Sequence, residues 1–179
     1  MTVRTGMAGN ITELRVRTNA GTADYTLAGT AYFTDDHIQD ILDEQMEELR
    51  FVRLSPVPEI LAGSYVYKNY PLPRQIGAWV EDNIPNDGVA FGRLYDLNGN
   101  NAGTAGFTVQ WKAGRIIFST DQAAKEYFLD VRKFDMDAAT AALWRKKASL
   151  LSSSVDWKSD NHDIKASQEY QHCIAMAEQ

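Results

Sequence analysis

Cysteine is almost missing from this chain, with Cys173 alone in 179 residues. A lone thiol excludes an intramolecular disulfide and any cysteine-based zinc site. Histidine is nearly as scarce. His37, His162 and His172 are the three, and no two stand four apart, the helical spacing that brings two imidazoles to one metal. No apolar run approaches a membrane span, and MTVRTGMAGN lacks the long apolar stretch of a signal peptide. The expectation is a protein with no membrane partner, of a cytosolic or virion-type assembly rather than a secreted scaffold. Cations are in the minority, 18 Lys plus Arg against 24 Asp plus Glu, for a net charge of −6. That balance argues against broad, nonspecific wrapping of nucleic acid. It leaves room for a basic partner, or for an acidic surface past which DNA slides.

Reactive motifs are missing as well. Asp96-Leu97-Asn98-Gly99-Asn100 starts like a calcium loop, but Asn101 stands where the turn glycine belongs and Phe107 where the bidentate glutamate belongs. A β-turn is the expectation. The glycines at 99, 103 and 106 form neither GxGxxG nor a P-loop, and no GxSxG occurs. Asp35 and Asp36 fall at a helix start, where capping explains them better than acid–base catalysis. His172 and Cys173 are adjacent, and neighbours on a helix do not face each other, so Cys173 reads as a small buried apolar residue. We expect no enzyme, with no catalytic, cofactor-binding or metal-binding residues.

What is present begins with Glu126–Leu151. Tyr127, Leu129 and Val131 alternate with Phe128, Asp130 and Arg132, the pattern of a strand. At Asp135 the period changes: Met136, Ala139, Leu143 and Leu150 recur at helical spacing, with Trp144, Ala148 and Leu151 widening the stripe. Asp135 suits the N-cap and Asp137 the first turn. Earlier, Asn10 opens a short helix with Ile11, Leu14 and Thr18 on one face, and Asn19 to Gly21 stop it. GTADYTLAGTAYF then reads as a connecting loop. Thr34 caps a helix through Arg50, with Ile38, Ile41, Leu42, Gln45 and Leu49 on its apolar side.

From Phe51 to Phe134 the helical period disappears. Short strands follow at Val52–Pro58, where the prolines keep the segment at an edge or exit, and at SYVYKNY, IGAWVED, VAFGRLYD, AGFTVQW and RIIF. Lys112-Ala113-Gly114 fits a tight hairpin loop with Gly114 at positive φ. SSSVDWKSDNHD reads as a polar connection. A last helix follows, its stripe being Ile164, Ser167, Tyr170, Ile174 and Ala177. The fold class expected is α+β: a small helical bundle from residues 1–50 and 135–179, with an inserted antiparallel β module of about six or seven short strands at 51–134.

Two charged groups stand out. Asp40, Asp43, Glu44, Glu47 and Glu48 cover one side of the acidic helix, either as a solvated face or as a surface for a basic patch on a neighbour. Arg145-Lys146-Lys147 is the compact basic cluster. It reads as helix-dipole stabilisation, as a contact with an acidic surface such as the Asp40–Glu48 face of another copy, or, most weakly, as a phosphate contact. The subunit-interface candidates are therefore Arg145, Lys146 and Lys147 with Asp40, Asp43, Glu44 and Glu47. An alternative is a β-rich binding module for a carbohydrate or protein ligand, with Trp79, Trp111, Tyr65, Tyr67 and Tyr70 as its platform.

The order of these segments resembles a known family. YFTDDHIQDILD (32–43), a strand at Leu54–Pro58, FTVQWKAGRIIF (107–118), EYFLDVRKFD (126–135), AALWRKKA (141–148) and SDNHDIKASQEY (159–170) are similar to tailed-bacteriophage head–tail connector proteins, also called adaptor or head completion proteins. The likeness covers nearly the whole chain, through structural rather than catalytic motifs. It implies a virion structural protein of the neck, assembled in the host cytoplasm. Such proteins form a ring, commonly of twelve copies, docked under the portal protein and followed by a tail or neck protein (stopper or tail completion), with genomic DNA passing transiently through the channel. It also implies portal contacts from the last helix, with Tyr170, Ile174 and Gln179 as candidates. Small members are mainly helical bundles, and this chain departs from them by its β insertion.

Overall fold

The computed structural model describes residues 3–21, 25–27, 30–77, 79–81, 93–102, 106–151, 157–159, 162–164 and 166–178. A 3-10 turn, Thr5–Met7, leads into α1 (Ala8–Thr18), followed by β1 (Tyr25–Leu27), β2 (Thr30–Tyr32) and α2 (Asp35–Glu44). Seven strands come next: β3 (Met46–Leu54), β4 (Val57–Leu61), β5 (Ser64–Pro71), β6 (Arg93–Tyr95), β7 (Phe107–Gln110), β8 (Arg115–Phe118) and β9 (Tyr127–Phe134). Then follow α3 (Met136–Leu151), β10 (Trp157–Ser159), β11 (His162–Ile164) and α4 (Ala166–Ala177). The chain is α+β and divides into two compact units. One comprises Met1–Val3, Ile11–Gln45 and Asp135–Gln179, the other Arg4–Asn10 and Met46–Phe134.

In the helical unit each helix start follows its local chemistry. The Thr34 hydroxyl accepts from His37 N at 3.5 Å, with Asp35 and Asp36 in the first turn of α2. Asp135 Oδ1 accepts from Asp137 N at 3.1 Å and from Ala138 N at 3.0 Å, satisfying two orphan donors of α3. Arg15 ties the end of α1 to the start of α2. Its guanidinium donates to Phe33 O at 2.8 Å and Asp35 Oδ1 at 2.7 Å, and also bonds Gly21 O. Arg17 joins Glu13 at 2.9 Å and Asp137 at 2.6 Å. A core cluster forms where Trp144 and Ala148 of α3 meet Cys173 and Ala177 of α4, flanked by Leu151, Ile174 and Met176.

Several expectations about the helices and their connections fail. α2 stops at Glu44, and Met46–Arg50 are strand: Met46 to Leu49 pair with Phe134 to Val131, and that ladder outweighs the helical propensity of an acidic run. Residues 21–33 contain a small hairpin rather than only a loop, with Tyr25 opposite Tyr32 and Leu27 opposite Thr30. The connection after α3 likewise holds the β10–β11 hairpin, Trp157 opposite Ile164. The buried face of α4 runs through Cys173 and Ala177, while Ser167 and Tyr170 are exposed. Its partner surface carries the Trp144 indole, which packs against the small Cys173 and Ala177 instead of a tyrosine stripe. Leu150 is half-buried, outside the fully buried line of Met136, Ala139, Leu143 and Ala148.

The β unit holds two antiparallel sheets, ordered β3-β9-β6 and β4-β5-β8-β7. They share one core of Val52, Leu54, Tyr70, Ile116, Phe118, Tyr127, Leu129 and Val131 with Ile76, Val80 and Leu94. Three rings form its centre: Tyr70, Phe118 and Tyr127 lie 5.0 to 5.4 Å apart by centroid. Their polar ends are satisfied, Tyr70 Oη donating to Lys125 O and Tyr127 Oη to Gln122 Oε1, each at 2.7 Å. Burial pushes both phenol pKa values up. The turn between β7 and β8 has Gly114 at φ 63°, as its position predicts. IGAWVED is not a full strand: Val80 bridges to Lys133, Trp79 O accepts from Phe134 N at 2.8 Å and Glu81 N donates to Arg132 O at 2.9 Å, while Ala78 and Asp82 lie outside the described residues.

Candidate functional site

The basic cluster does not act as a unit. Arg145 and Lys146 are exposed on α3, and Lys147 is turned inward. Lys147 Nζ donates to Thr18 O at 3.1 Å and sits over the Phe33 and Trp144 rings at 5.7 and 5.0 Å. That is a structural cation, packed and hydrogen-bonded. Lys146 Nζ reaches Glu44 Oε1 at 3.1 Å, so the acidic and basic groups meet inside one chain. Both side chains are about half exposed, and such a pair is worth about 0–1 kcal/mol. Asp40 is exposed and Asp43 half-buried on α2. Glu47 belongs to β3, where it pairs with Lys133 at 2.8 Å. Of the seven interface candidates, Arg145 and Asp40 stand on exposed helical surface, Glu44 pairs with Lys146, Glu47 with Lys133, Lys147 bonds Thr18 O, and Asp43 is half-buried.

The other candidates separate in the same way. Tyr170 is 38% exposed, Ile174 is half-buried against the α3–α4 cluster, and Gln179 lies outside the described residues. The five aromatics of the binding-module reading do not make one platform. Tyr70 is fully buried in the core, Trp111 packs partly against it, and Tyr65 is exposed. Cys173 is buried, and burial raises its pKa, so the thiol has little thiolate character. Asp96 Oδ1 accepts from Asn100 N and Asn98 N, each at 2.9 Å, and these bonds, Asn100 first, hold its carboxyl below the usual range and close a turn. Among the described residues no group of three or more His, Cys, Asp or Glu is placed to hold a metal ion. No helix among them is long and apolar enough to cross a membrane.

Two features were not legible beforehand. The first is a buried carboxylate, Glu81, with a side chain 1% exposed, held by Arg4 Nε at 3.0 Å and by Arg132 at 3.6 Å. Arg132 also bonds Glu48 at 3.2 Å, and Arg50 holds the same carboxylate at 2.9 Å. Arg50 first and Arg132 second keep the Glu48 carboxyl below its usual range. With Asn10 Nδ2 donating to Val80 O at 3.1 Å, this network fastens residues 4–10 to the β unit.

The second is the β4–β5 hairpin. β5 pairs with β8 only at Asn69–Pro71, so the pairing of Glu59–Leu61 with Ser64–Val66 runs on as a two-stranded arm. Every residue of β4 is exposed, and the arm carries Ile60 at 73%, Leu61 at 63% and Tyr65 at 67% exposure. Ala62 and Gly63 turn its tip at φ 50° and 80°, the positive pair that a tight hairpin turn requires. An isolated two-stranded hairpin is marginally stable in water. This one is held at its base: Asp121 Oδ1 accepts from Tyr67 N at 2.8 Å, and Lys68 Nζ donates to Ser119 O at 2.9 Å. Ile60, Leu61 and Tyr65 thus cluster in water on paired residues of one ribbon, the kind of surface that marks an interaction site. The helical unit in turn contains a hollow of about 290 Å³ lined by Tyr32, Phe33, Ile41 and Leu150, with His37, Asp40, Lys146 and Ser149 also bordering it.

The chain matches no protein-family model, no curated protein and no solved structure.

Proposed function

We propose that this protein is a virion structural subunit, a head–tail connector that forms a ring between portal and tail and lets the genome pass. The single observation that carries the reading beyond sequence resemblance is the β4–β5 arm. It holds Ile60, Leu61 and Tyr65 in water on a ribbon tied down at its base, an arrangement that suits assembly. The ordered segments at 32–43, 107–118, 126–135, 141–148 and 159–170 name the assembly as a phage neck by resemblance. The ring of twelve copies, the portal above and the stopper or tail protein below come from the same resemblance. The net charge of −6 is compatible with a channel wall to which DNA does not adhere. In this reading the protein works by shape, and no residue is asked to perform chemistry.

The test is electron microscopy of the purified full chain mixed with the portal and neck proteins encoded beside it. A ring docked on the portal is the expected result. A folded chain that neither forms rings nor binds the portal overturns the connector reading. Tryptophan fluorescence quenched by a glycan at micromolar concentration would instead favour the binding-module alternative.

A further inference from the structure

We infer that the β4–β5 arm of one copy seats in the hollow of the helical unit of a second copy, a head-to-tail contact between two different surfaces of the same chain. The inference rests on the connector reading and deepens it by naming the contact that builds the ring.

The arm limits what can cover it. β4 is an edge strand, which ordinarily invites a further strand. Here Pro58 has no N–H to give, and the ladder is irregular between Val57 and Glu59. Backbone strand addition is therefore disfavoured, and recognition falls to the side chains. Ile60 lies directly opposite Tyr65, so the two share one face, while Leu61 opposite Ser64 takes the other. A tip with apolar groups on both faces inserts into a recess better than it lies on a plane.

The helical unit offers a recess of suitable size. A cavity of about 150 Å³ accepts a benzene-sized molecule. The hollow of about 290 Å³ therefore has room for the ends of two side chains such as Ile60 and Leu61. Tyr32, Phe33, Ile41 and Leu150 give it apolar walls for them, and His37, Asp40, Lys146 and Ser149 form its polar border. Residues 57–66 hold one charge, Glu59, and no cation. Beside the hollow, Arg145 stands four residues before Ser149 on α3, hence next to it on the helix surface, and is exposed. Glu59 of one copy and Arg145 of the next are complementary. Because the two surfaces differ, each copy offers one and accepts the other, and such a contact repeats around a ring or along a filament.

The experiment uses the full chain with Cys173→Ala, so that introduced thiols are alone. Ile60→Cys and Ser149→Cys are made in separate copies, mixed, and oxidised with diamide, with Leu97→Cys plus Ser149→Cys as the control for random collision. The expected result is a mixed disulfide dimer at least tenfold above the control, reduced by Arg145→Glu and restored when Glu59→Lys is added to the Ile60→Cys copy. A yield equal to the control, or dimers of Ile60→Cys alone that match the mixture, overturns the contact. A ring on the portal without this cross-link removes the contact and leaves the connector reading standing. The cross-link without portal binding does the reverse.

Discussion

The four-stranded sheet contains two hairpins of similar apolar content that dispose of it in opposite ways. In β7–β8, Ile116 and Phe118 are buried and Phe107 and Val109 pack against the core. In β4–β5, Ile60, Leu61 and Tyr65 face water. Both turn through a glycine at positive φ, Gly114 at 63° and Gly63 at 80°. What separates them is neighbourhood. β8 lies between β5 and β7 and sends Ile116 and Phe118 into the shared core, whereas the tip of the arm has one partner strand and leaves Ile60, Leu61 and Tyr65 largely exposed. Apolar sequence therefore fixes neither burial nor purpose. One hairpin stabilises its own chain, and the other is exposed in the isolated chain.

Truncating the core is the largest way to press the comparison. Phe118→Ala or Tyr70→Ala removes a ring from the central aromatic triad and is expected to cost about 3–5 kcal/mol in urea unfolding. Tyr65→Ala, on the same strand as Tyr70, is expected to stay within about 0.5 kcal/mol of the parent. Equal losses at Tyr65 and Tyr70 would mean that the arm is part of the core after all. Gly114→Ala and Gly63→Ala form a finer pair. Each forces a Cβ onto a left-handed backbone at about 1–2 kcal/mol, with no steric neighbour within 4 Å in either case. The first is expected to lower global stability. The second should raise amide exchange in residues 57–66 while leaving the urea midpoint almost unchanged.

The smallest effect is a titration. The backbone N–H groups of Tyr67, first, and Ala123 hold the Asp121 carboxyl below its usual range. A depressed folded pKa means that this contribution is present above the unfolded value, about 3.9, and is lost as pH falls through the lower folded value. Amide exchange at Tyr67, corrected for intrinsic pH dependence, should therefore rise at acid pH before Ile116 and Phe118 respond. Asp121→Asn would flatten that profile.

Much of the scaffold was readable from local chemistry. Thr34 and Asp135 start helices because their side-chain oxygens accept from the first turn, and Gly114 marks a turn because few other residues take its φ. The α+β class followed from the change of period at Asp135. The failures are all non-local. Met46–Arg50 resemble a helix continuation until β9 supplies the pairing partner. The buried face of α4 is set by Trp144 on another element. Glu81 finds Arg4 across 77 positions, and no spacing rule reaches that far. SYVYKNY is visibly a strand and the prolines at 56 and 58 mark an edge, but the exposure of the arm depends on which strands fail to cover it. The same holds for one charged pair: Glu44 and Lys146, 102 positions apart, meet within one chain, and no spacing rule brings them together.

The most direct measurement is sedimentation velocity of the Ile60→Thr, Leu61→Thr double variant beside the parent, on the portal and alone, with urea unfolding run on the same samples. Threonine keeps the β propensity and removes the apolar surface. The account predicts a variant that unfolds within about 0.5 kcal/mol of the parent but sediments as a monomer where the parent forms the ring. A variant that still assembles like the parent would contradict it.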